Sequence, residues 1–532
     1  MLRGRRKTGR RSDVQIHPQD TSDQLSAHPR AGGNAPPGAS EPRPIFPVDM
    51  LPQGFVWRLV VFLGALTAVR LATVYFAGTD FFFDEAQYWA WSRDLDWGYY
   101  SKPPVIAWLI RAASEICGNG EACIRAISPV MHTATSVIVF LLTRKLFDAR
   151  FGFWAAVVFA TLPGISLSST LISTDVPLLF FWALALLCLV KLLETRAWRW
   201  SVALGLTVGV GLLAKYAMVY FFLGLAVYML LSPRARWLLT DLRGAMVLLL
   251  AGALLAPNVI WNLQHGFATF SHTADNANWS GSLGNPIEAL EFFGAQFGVF
   301  GPLLFGILIW ATWRAVREGW SDPYRLLLCF AVPVILLITV QAFLSRAHAN
   351  WAAVAYVSAS VLVAALMVER SARGWYAASF LIHLLALATI SFGTVFAGQI
   401  SLPGGKDPFA RVLGWQAIAK GTEARFADGD FASVMTDRRS LAAELIYYLR
   451  DTDIPIARWR NEGPPSDHFE MTRPITAQTP EPVLLVTRRE RIGSIGERFD
   501  SVTKLGQERF SAGPTDSREL HFYRLEGFRP AD

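Results

Sequence analysis

Long apolar runs separated by short polar breaks fill the chain from about residue 55 to about residue 396. The first, Phe55 to Phe76, is interrupted only by Arg58 near one end and Arg70 toward the other, and it can cross a hydrocarbon core of roughly 30 Å. Further runs lie at about 126–143, 152–170, 175–193, 200–214, 216–231, 244–261, 294–313, 326–344, 352–368 and 375–396, so the pattern predicts roughly eleven spans. Leu213-Ala-Lys-Tyr216 reads as a hairpin tip between two short spans.

Three stretches break the pattern. Residues 86–116, within a loop bounded at 78–125, are too polar to span, but their Trp and Tyr content and the amphipathic Val105-to-Ile116 run predict helices lying in the membrane interface. Residues 397–532 are rich in Asp, Glu and Arg, with short apolar runs at Pro482 to Thr487 and Leu441 to Leu449 and a closing strand over Glu519 to Arg524, which predicts a small α/β domain. Residues 1–50 carry Arg, Pro, Gly and Ser without apolar periodicity or a signal-peptide pattern, as expected of a disordered tail. The fold class is a mostly α, polytopic membrane protein, with residues 51–396 as the transmembrane domain.

Composition agrees with this reading. Hydrophobic residues make up 52% of the 532, and the mean hydropathy of +0.32 is too apolar for a soluble chain. A net charge of +7 would suit a nucleic-acid partner, but the basic residues cluster between apolar runs as topology signals do, and no nucleic-acid partner is expected. Alternating the spans gathers Arg144, Lys145 and Arg150, Lys191, Arg196 and Arg199, Arg234, Arg236 and Arg243, Arg314, Arg317 and Arg325, and Arg370 and Arg373 on the side of the N-terminal tail, whereas the 262–293 loop has no Lys or Arg. The positive-inside rule makes that side cytoplasmic, and an odd number of spans puts the C-terminal domain outside. Four cysteines are too few for a disulfide framework; for Cys117 and Cys123 a disulfide and two unpaired thiols both remain open.

The outer side then collects a mixture of ionisable groups that the inner loops lack. The first loop supplies Asp84, Glu85 and Lys102, set among Trp89, Trp91, Trp97, Tyr99 and Tyr100. Asp175 opens the fourth span; Lys215 and Tyr216 lie at the hairpin tip. Asn262, His265, His272 and Asp275 follow the seventh span, and Arg346, His348, Asn350 and Trp351 follow the ninth. Each has a plainer reading: Asp84 and Glu85 as a solvated helix start, Lys102 snorkelling to headgroups, Asp175 as a helix cap before Pro177, the histidines as packing groups, the Arg346 loop as a lipid anchor, the aromatics as an interfacial belt. Together they fit a carboxylate acting as general base on a hydroxyl, with Lys and Arg holding a phosphate headgroup and the charge on a departing phosphate. That chemistry belongs to an enzyme acting on a lipid-linked substrate or to a transporter; charges at span ends rather than at the midplane favour the enzyme.

Asp84-Glu85 after the first span, Lys102-Pro103-Pro104 closing the loop, and Ser173-Thr-Asp-Val-Pro177 resemble the protein mannosyltransferase and lipid A aminoarabinose transferase superfamily, of GT-C fold. Leu-Ala-Lys-Tyr216 and Arg346-Ala-His-Ala-Asn-Trp351 look like the bacterial branch that includes rhizobial galacturonosyltransferases, the similarity covering roughly residues 55–396. The resemblance implies inverting transfer of a sugar from a polyprenyl phosphate donor to lipid A, core oligosaccharide or another glycan outside the inner membrane; a flippase of lipid-linked intermediates and a protein O-glycosyltransferase are the alternatives. By the same resemblance, Asp84 activates the acceptor, with Glu85 beside it. By it too, Lys102 binds the donor phosphate and Asp175 supports the site; beside that carry-over, Arg346, His348 and Lys215 are taken as further phosphate contacts and Tyr99 and His265 as supporting residues. The aminoarabinose transferases usually carry a metal-associated Glu before Lys-Pro-Pro; Ser101 stands there in this chain, which puts a divalent metal in doubt without removing it, and no metal ligand set is assigned.

Overall fold

The computed structural model describes residues 53–277, 284–402, 405 and 407–530; the expected tail over residues 1–50 lies outside them. Each apolar run falls on apolar helix. Six helices have the length and composition to cross a membrane: Gly54–Tyr75, Glu121–Leu146, Asp175–Thr195, Leu242–Gln264, Asp322–Leu344 and Arg373–Val395. Four shorter apolar helices, Ala149–Thr161, Trp198–Ala214, Tyr216–Leu231 and Ala355–Glu369, occupy other expected runs. The run expected at 294–313 is not straight: Pro286–Phe300 and Pro302–Glu318 meet at 115°, which raises the spans to seven if the pair is counted as one. Gly301 makes the bend, at φ +92°, where a Cβ would also run into the His383 ring.

The helices sort into inner and outer ones. Two-thirds (67%) of the apolar window of Asp175–Thr195 is buried, against 22% for Gly54–Tyr75, Leu242–Gln264 and Arg373–Val395, so the first is central and the other three peripheral. The peripheral helices expose Val60, Val61, Leu248, Leu249, Leu381 and Leu385, the apolar belt that lipid requires. Local signals set the ends. Asp148 accepts from the N–H groups of Arg150 and Phe151 at 2.7 and 3.0 Å and starts the Ala149–Thr161 helix, and Pro177 sits in the first turn of Asp175–Thr195.

The last part of the chain forms a five-stranded sheet in the order β2-β1-β3-β5-β4, with β1 Ser433–Thr436, β2 Ile456–Arg458, β3 Val483–Thr487, β4 Phe499–Ser511 and β5 Ser517–Phe528. β1 pairs in parallel with β2 and β3, and the crossover from β1 to β2 is the helix Arg439–Tyr448. β5 pairs antiparallel with β3 and β4, and it contains the expected Glu519–Arg524 stretch. β1 and β3 are buried throughout, in keeping with the apolar Val434-Met435 of the one and Val483 to Val486 of the other.

The sheet is joined to the helical part by the first loop. Its helix Phe83–Trp91 packs on Arg439–Tyr448, so Phe81, Trp89 and Trp91 share a core with Leu441, Leu445 and Tyr447. The Phe81 and Tyr447 rings lie 4.4 Å apart, the Phe81 N–H donates to the Tyr448 hydroxyl at 2.8 Å, and the Tyr447 hydroxyl donates to the Asn119 carbonyl at 2.8 Å. Trp89, Trp91 and Tyr99 are thus buried in this seam. Cys117 and Cys123 are joined in a disulfide at the far end of the loop's second helix, Val105–Cys117.

Candidate active site

Neighbouring acids at the start of Phe83–Trp91 have opposite surroundings, because successive helical residues point about 100° apart. Glu85 points inward. Its carboxylate binds Arg125 through two contacts, at 3.0 and 2.7 Å, and accepts from the Ile172 and Phe82 N–H groups at 2.9 Å each. Arg125 also donates to Thr79 and Asp80, at 2.7–3.1 Å, so both partners are buried and satisfied. The sequence reading gave Glu85 a catalytic place beside Asp84; the structure makes it the anchor that ties the first loop to the start of the second span and to Ile172.

Asp84 points to the open side. Its Oδ1 faces Arg439 at 3.0 Å, and Arg439 also donates to Gln87 Oε1 at 3.1 Å and lies over the Phe83 ring at 4.8 Å. Asp84 and Arg439 both remain about one-third exposed, so the pair is open to exchange with a ligand. Gln87 Nε2 stands 3.5 Å from Ser101 Oγ, which brings the Lys102 turn to the same helix.

Lys102 sits in a turn closed by the Tyr99 N–H donating to its carbonyl at 3.1 Å, with Pro103 and Pro104 leading into Val105–Cys117. Its ammonium has no hydrogen-bond or ion-pair partner among the described residues. Burial, followed by the neighbouring charge of Lys215, holds it down at about 8; Asp84 and Asp175 pull the other way and Arg439 adds to the lowering. Those four charges come from the first loop, two spans and the C-terminal sheet unit, and they act on one lysine.

Asp175 is nearly buried and divides its carboxylate between Lys215 Nζ at 2.6 Å and Asn350 Nδ2 at 2.7 Å. Lys215, in the break between two short apolar helices, is thus committed to Asp175 and reaches Lys102 as a repelling charge rather than as a free phosphate ligand. The 346–351 loop enters the site through Asn350. Arg346 and His348 are exposed on the same loop, and His348 packs edge-on against Trp351 at 5.5 Å. Tyr99 is buried: its ring stacks on Trp91 at 4.7 Å, and its hydroxyl meets the Trp91 and Asp94 carbonyls at 3.0 Å. His265 stacks on Trp261 at 4.1 Å instead of joining the cluster. The histidine that does approach is His272, 5.6 Å from the Tyr100 ring, pushed down to about 4 by burial and then by Lys102 and Arg439.

Two members were missed at the level of sequence. Arg439 follows Asp84 by 355 residues, and nothing local to Asp84 points to it. Arg125 did leave a signal, a cation at the end of a span, where burial demands a partner. As for metals, Ser101 offers no carboxylate, Asp84 and Asp175 are each held by a cation, and among the described residues no three His, Cys, Asp or Glu side chains converge, so no step is assigned to a metal.

Three known proteins and families are similar to this chain. The family model for dolichyl-phosphate-mannose-protein mannosyltransferases matches residues 101–261, a stretch that takes in Lys102, Asp175 and Lys215. Lipid A galacturonosyltransferase RgtD of Rhizobium johnstonii is 38% identical over 430 residues, covering 81% of this chain and 90% of that protein. Crystal structures of ArnT from Cupriavidus metallidurans share the fold at 15% identity: the apo form with a TM-score of 0.59 over 89% of this chain and 98% of ArnT, and the form bound to undecaprenyl phosphate with 0.60 over 91% and 100%.

Proposed function

The chain belongs to the family of lipid A galacturonosyltransferase RgtD and is a membrane glycosyltransferase of the GT-C fold; from this premise we propose that it transfers a galacturonosyl residue from a polyprenyl phosphate to lipid A. The observation that carries the reading is Lys102, a cation without a protein partner, set in a loop at the end of the helices and in the field of Asp84. The Lys102 ammonium binds the donor phosphate, which supplies the missing counter-charge. Asp84 accepts the proton of the acceptor hydroxyl as its oxygen attacks the anomeric carbon from the face opposite the phosphate. The new C–O bond forms as the sugar–phosphate bond breaks, the polyprenyl phosphate departs with the bonding pair, and the anomeric configuration inverts. A phosphate needs little proton assistance to leave, so one base and one cation suffice. Asp175 fixes Lys215 and Asn350 and keeps a second positive charge behind Lys102.

The site is proposed to face the periplasm, with the N-terminus in the cytoplasm and the sheet unit, residues 397–532, outside. The Cys117–Cys123 disulfide supports this, because such bonds persist in oxidising compartments, and so does the basic character of the opposite end. Placement of the reacting charges at helix ends, not between repeated halves at mid-membrane, speaks against a flippase. Mass spectrometry of lipid A and core from a deletion strain tests the assignment. Loss of one hexuronic acid from lipid A is expected; an unchanged lipid A with a change elsewhere would move the acceptor, and no change in any envelope glycan would overturn the transfer.

A further inference from the structure

A cavity of about 500 Å³ opens on the sheet unit beside Asp84, within the size range of small-ligand sites. It lies beyond the C-terminal ends of β1, β2 and β3, and residues from all three strand ends line it: Asp437 to Ser440 after β1, Arg458 at the end of β2, Arg489 after β3. β1 connects toward β2 while β3 lies on its other side, so the opening occupies the position where parallel sheets bind ligands.

The lining groups are unequal. Arg458 is buried and spent on Asp467 and Glu470, at 3.0 Å each. Arg438 is exposed and has no partner among the described residues. Arg489 pairs through one nitrogen with Asp437 Oδ2 at 2.8 Å and remains 46% exposed. Asp437 is 94% buried (6% exposed), and neither carboxylate oxygen accepts a hydrogen bond among the described residues, Oδ2 meeting Arg489 only as an ion pair. The helix Arg439–Tyr448 starts here, Arg439 and Ser440 lining the opening, and its first N–H groups have no side-chain cap. An oxyanion suits Arg438, Arg489 and those N–H groups; a hydroxyl donor suits Asp437 Oδ1. One ligand class carries both, an acidic saccharide.

We propose that this crevice binds a carboxylate-bearing sugar of the acceptor glycan, held by Arg438, Arg439 and Arg489 with a sugar hydroxyl on Asp437, and so places the reacting hydroxyl at Asp84. The naming of its owner as the acceptor rests on the transferase reading above; the binding itself does not. Arg439 and Phe83 belong to both the crevice and the Asp84 site. A carboxylate taken up by Arg439 competes with Asp84 for the same guanidinium, so the base is released when the acceptor is in place.

Two readouts on the full-length protein in detergent test this. Saturation-transfer NMR with glucuronate, glucose and inorganic phosphate as probes is expected to show glucuronate binding that Arg438→Ala and Arg489→Ala each weaken about tenfold, with glucose bound more weakly. Acceptor-dependent kinetics are expected to show KM for acceptor raised about tenfold in both variants, with kcat and donor KM within about threefold of wild type. Glucuronate binding that survives in a chain showing no transfer activity would sink the transferase reading and leave the crevice standing. Transfer with unchanged acceptor KM in both variants, or no glucuronate binding, would overturn the crevice. Phosphate bound more tightly than glucuronate would overturn the saccharide and point to a phosphorylated headgroup. Circular dichroism of both variants, expected to match wild type, separates these outcomes from misfolding.

Discussion

At one end of the Asp175–Thr195 helix, Glu194 holds Lys145 at 2.5 Å, and several further cations have partners: Arg196 lies over Trp237, Arg243 over Trp198, Arg317 over Trp313 and Arg370 over Trp310, all within 5.3 Å, while Asp322 takes Arg234 at 2.7 Å. At the other end, about 30 Å away along the same helix, Lys102 is left without a partner and Asp84 is held only by a side chain from another part of the chain. Toward the first end, rings and acids of the same neighbourhood satisfy several of the charges. Around the proposed site the fold sets satisfied pairs, Glu85–Arg125 and Asp175–Lys215, beside Lys102 and Asp84, which it leaves open.

The contrast can be broken at several points. Asp84→Asn should lower kcat by about 10²–10⁴-fold, the range for loss of a general base, while leaving the melting temperature near wild type, since its ion pair is partly solvated. Transfer assays on purified protein beside thermal melts read both, and a stable, fully active variant would return Asp84 to the status of a solvated helix start. Glu85→Gln should do the opposite, destabilising by about 3–5 kcal/mol because it leaves Arg125 charged and buried, measurable as loss of folded, monodisperse protein.

A smaller effect is expected at Glu444, which is buried without a hydrogen-bond partner among the described residues and held well above the usual carboxylate range by burial, with Asp80, Glu85 and Glu121 adding to it. The folded state keeps a proton that the unfolded chain releases above about 4.5, so stability falls as pH rises beyond that value. Glu444→Gln should therefore raise the melting temperature by a few degrees at pH 7.5 and change little near pH 4, as melts across pH would show. Smallest of all, Arg370→Ala at the basic end should cost about 0.5–1 kcal/mol, the worth of an exposed cation–π contact, with transfer unchanged.

The helical part of the fold was legible because lipid imposes a simple rule: apolar length marks a helix, and every run found one. The bend at Gly301 escaped because hydropathy is blind to φ. Asp84, Lys102 and Asp175 could be grouped from the expected topology alone, since each falls in a loop or at a span end assigned to the same side. Their division of labour could not. Glu85 and Lys215 look as available in sequence as Asp84 and Lys102, and only the positions of Arg125 and Asp175 show that they are already engaged. His265, taken as the supporting histidine, caps Leu242–Gln264 and stacks on Trp261, whereas His272, seven residues on in Ala268–Ala277, feels the charge of Lys102; nothing in the sequence signals that difference. Arg439 lay out of reach, because a contact across 355 residues leaves no local pattern.

Binding of polyprenyl phosphate to the full-length protein, followed across pH for wild type and Lys102→Ala, tests the role of the unpartnered lysine most directly. The wild type should bind well at pH 7 and lose affinity as pH rises through about 8, where Lys102 gives up its proton. Lys102→Ala should bind about 10- to 100-fold more weakly at pH 7, the worth of a hydrogen bond to a charged group, and show no such fall. Equal affinity in the two proteins, with the same dependence on pH, would contradict the assignment of Lys102 as the phosphate clamp.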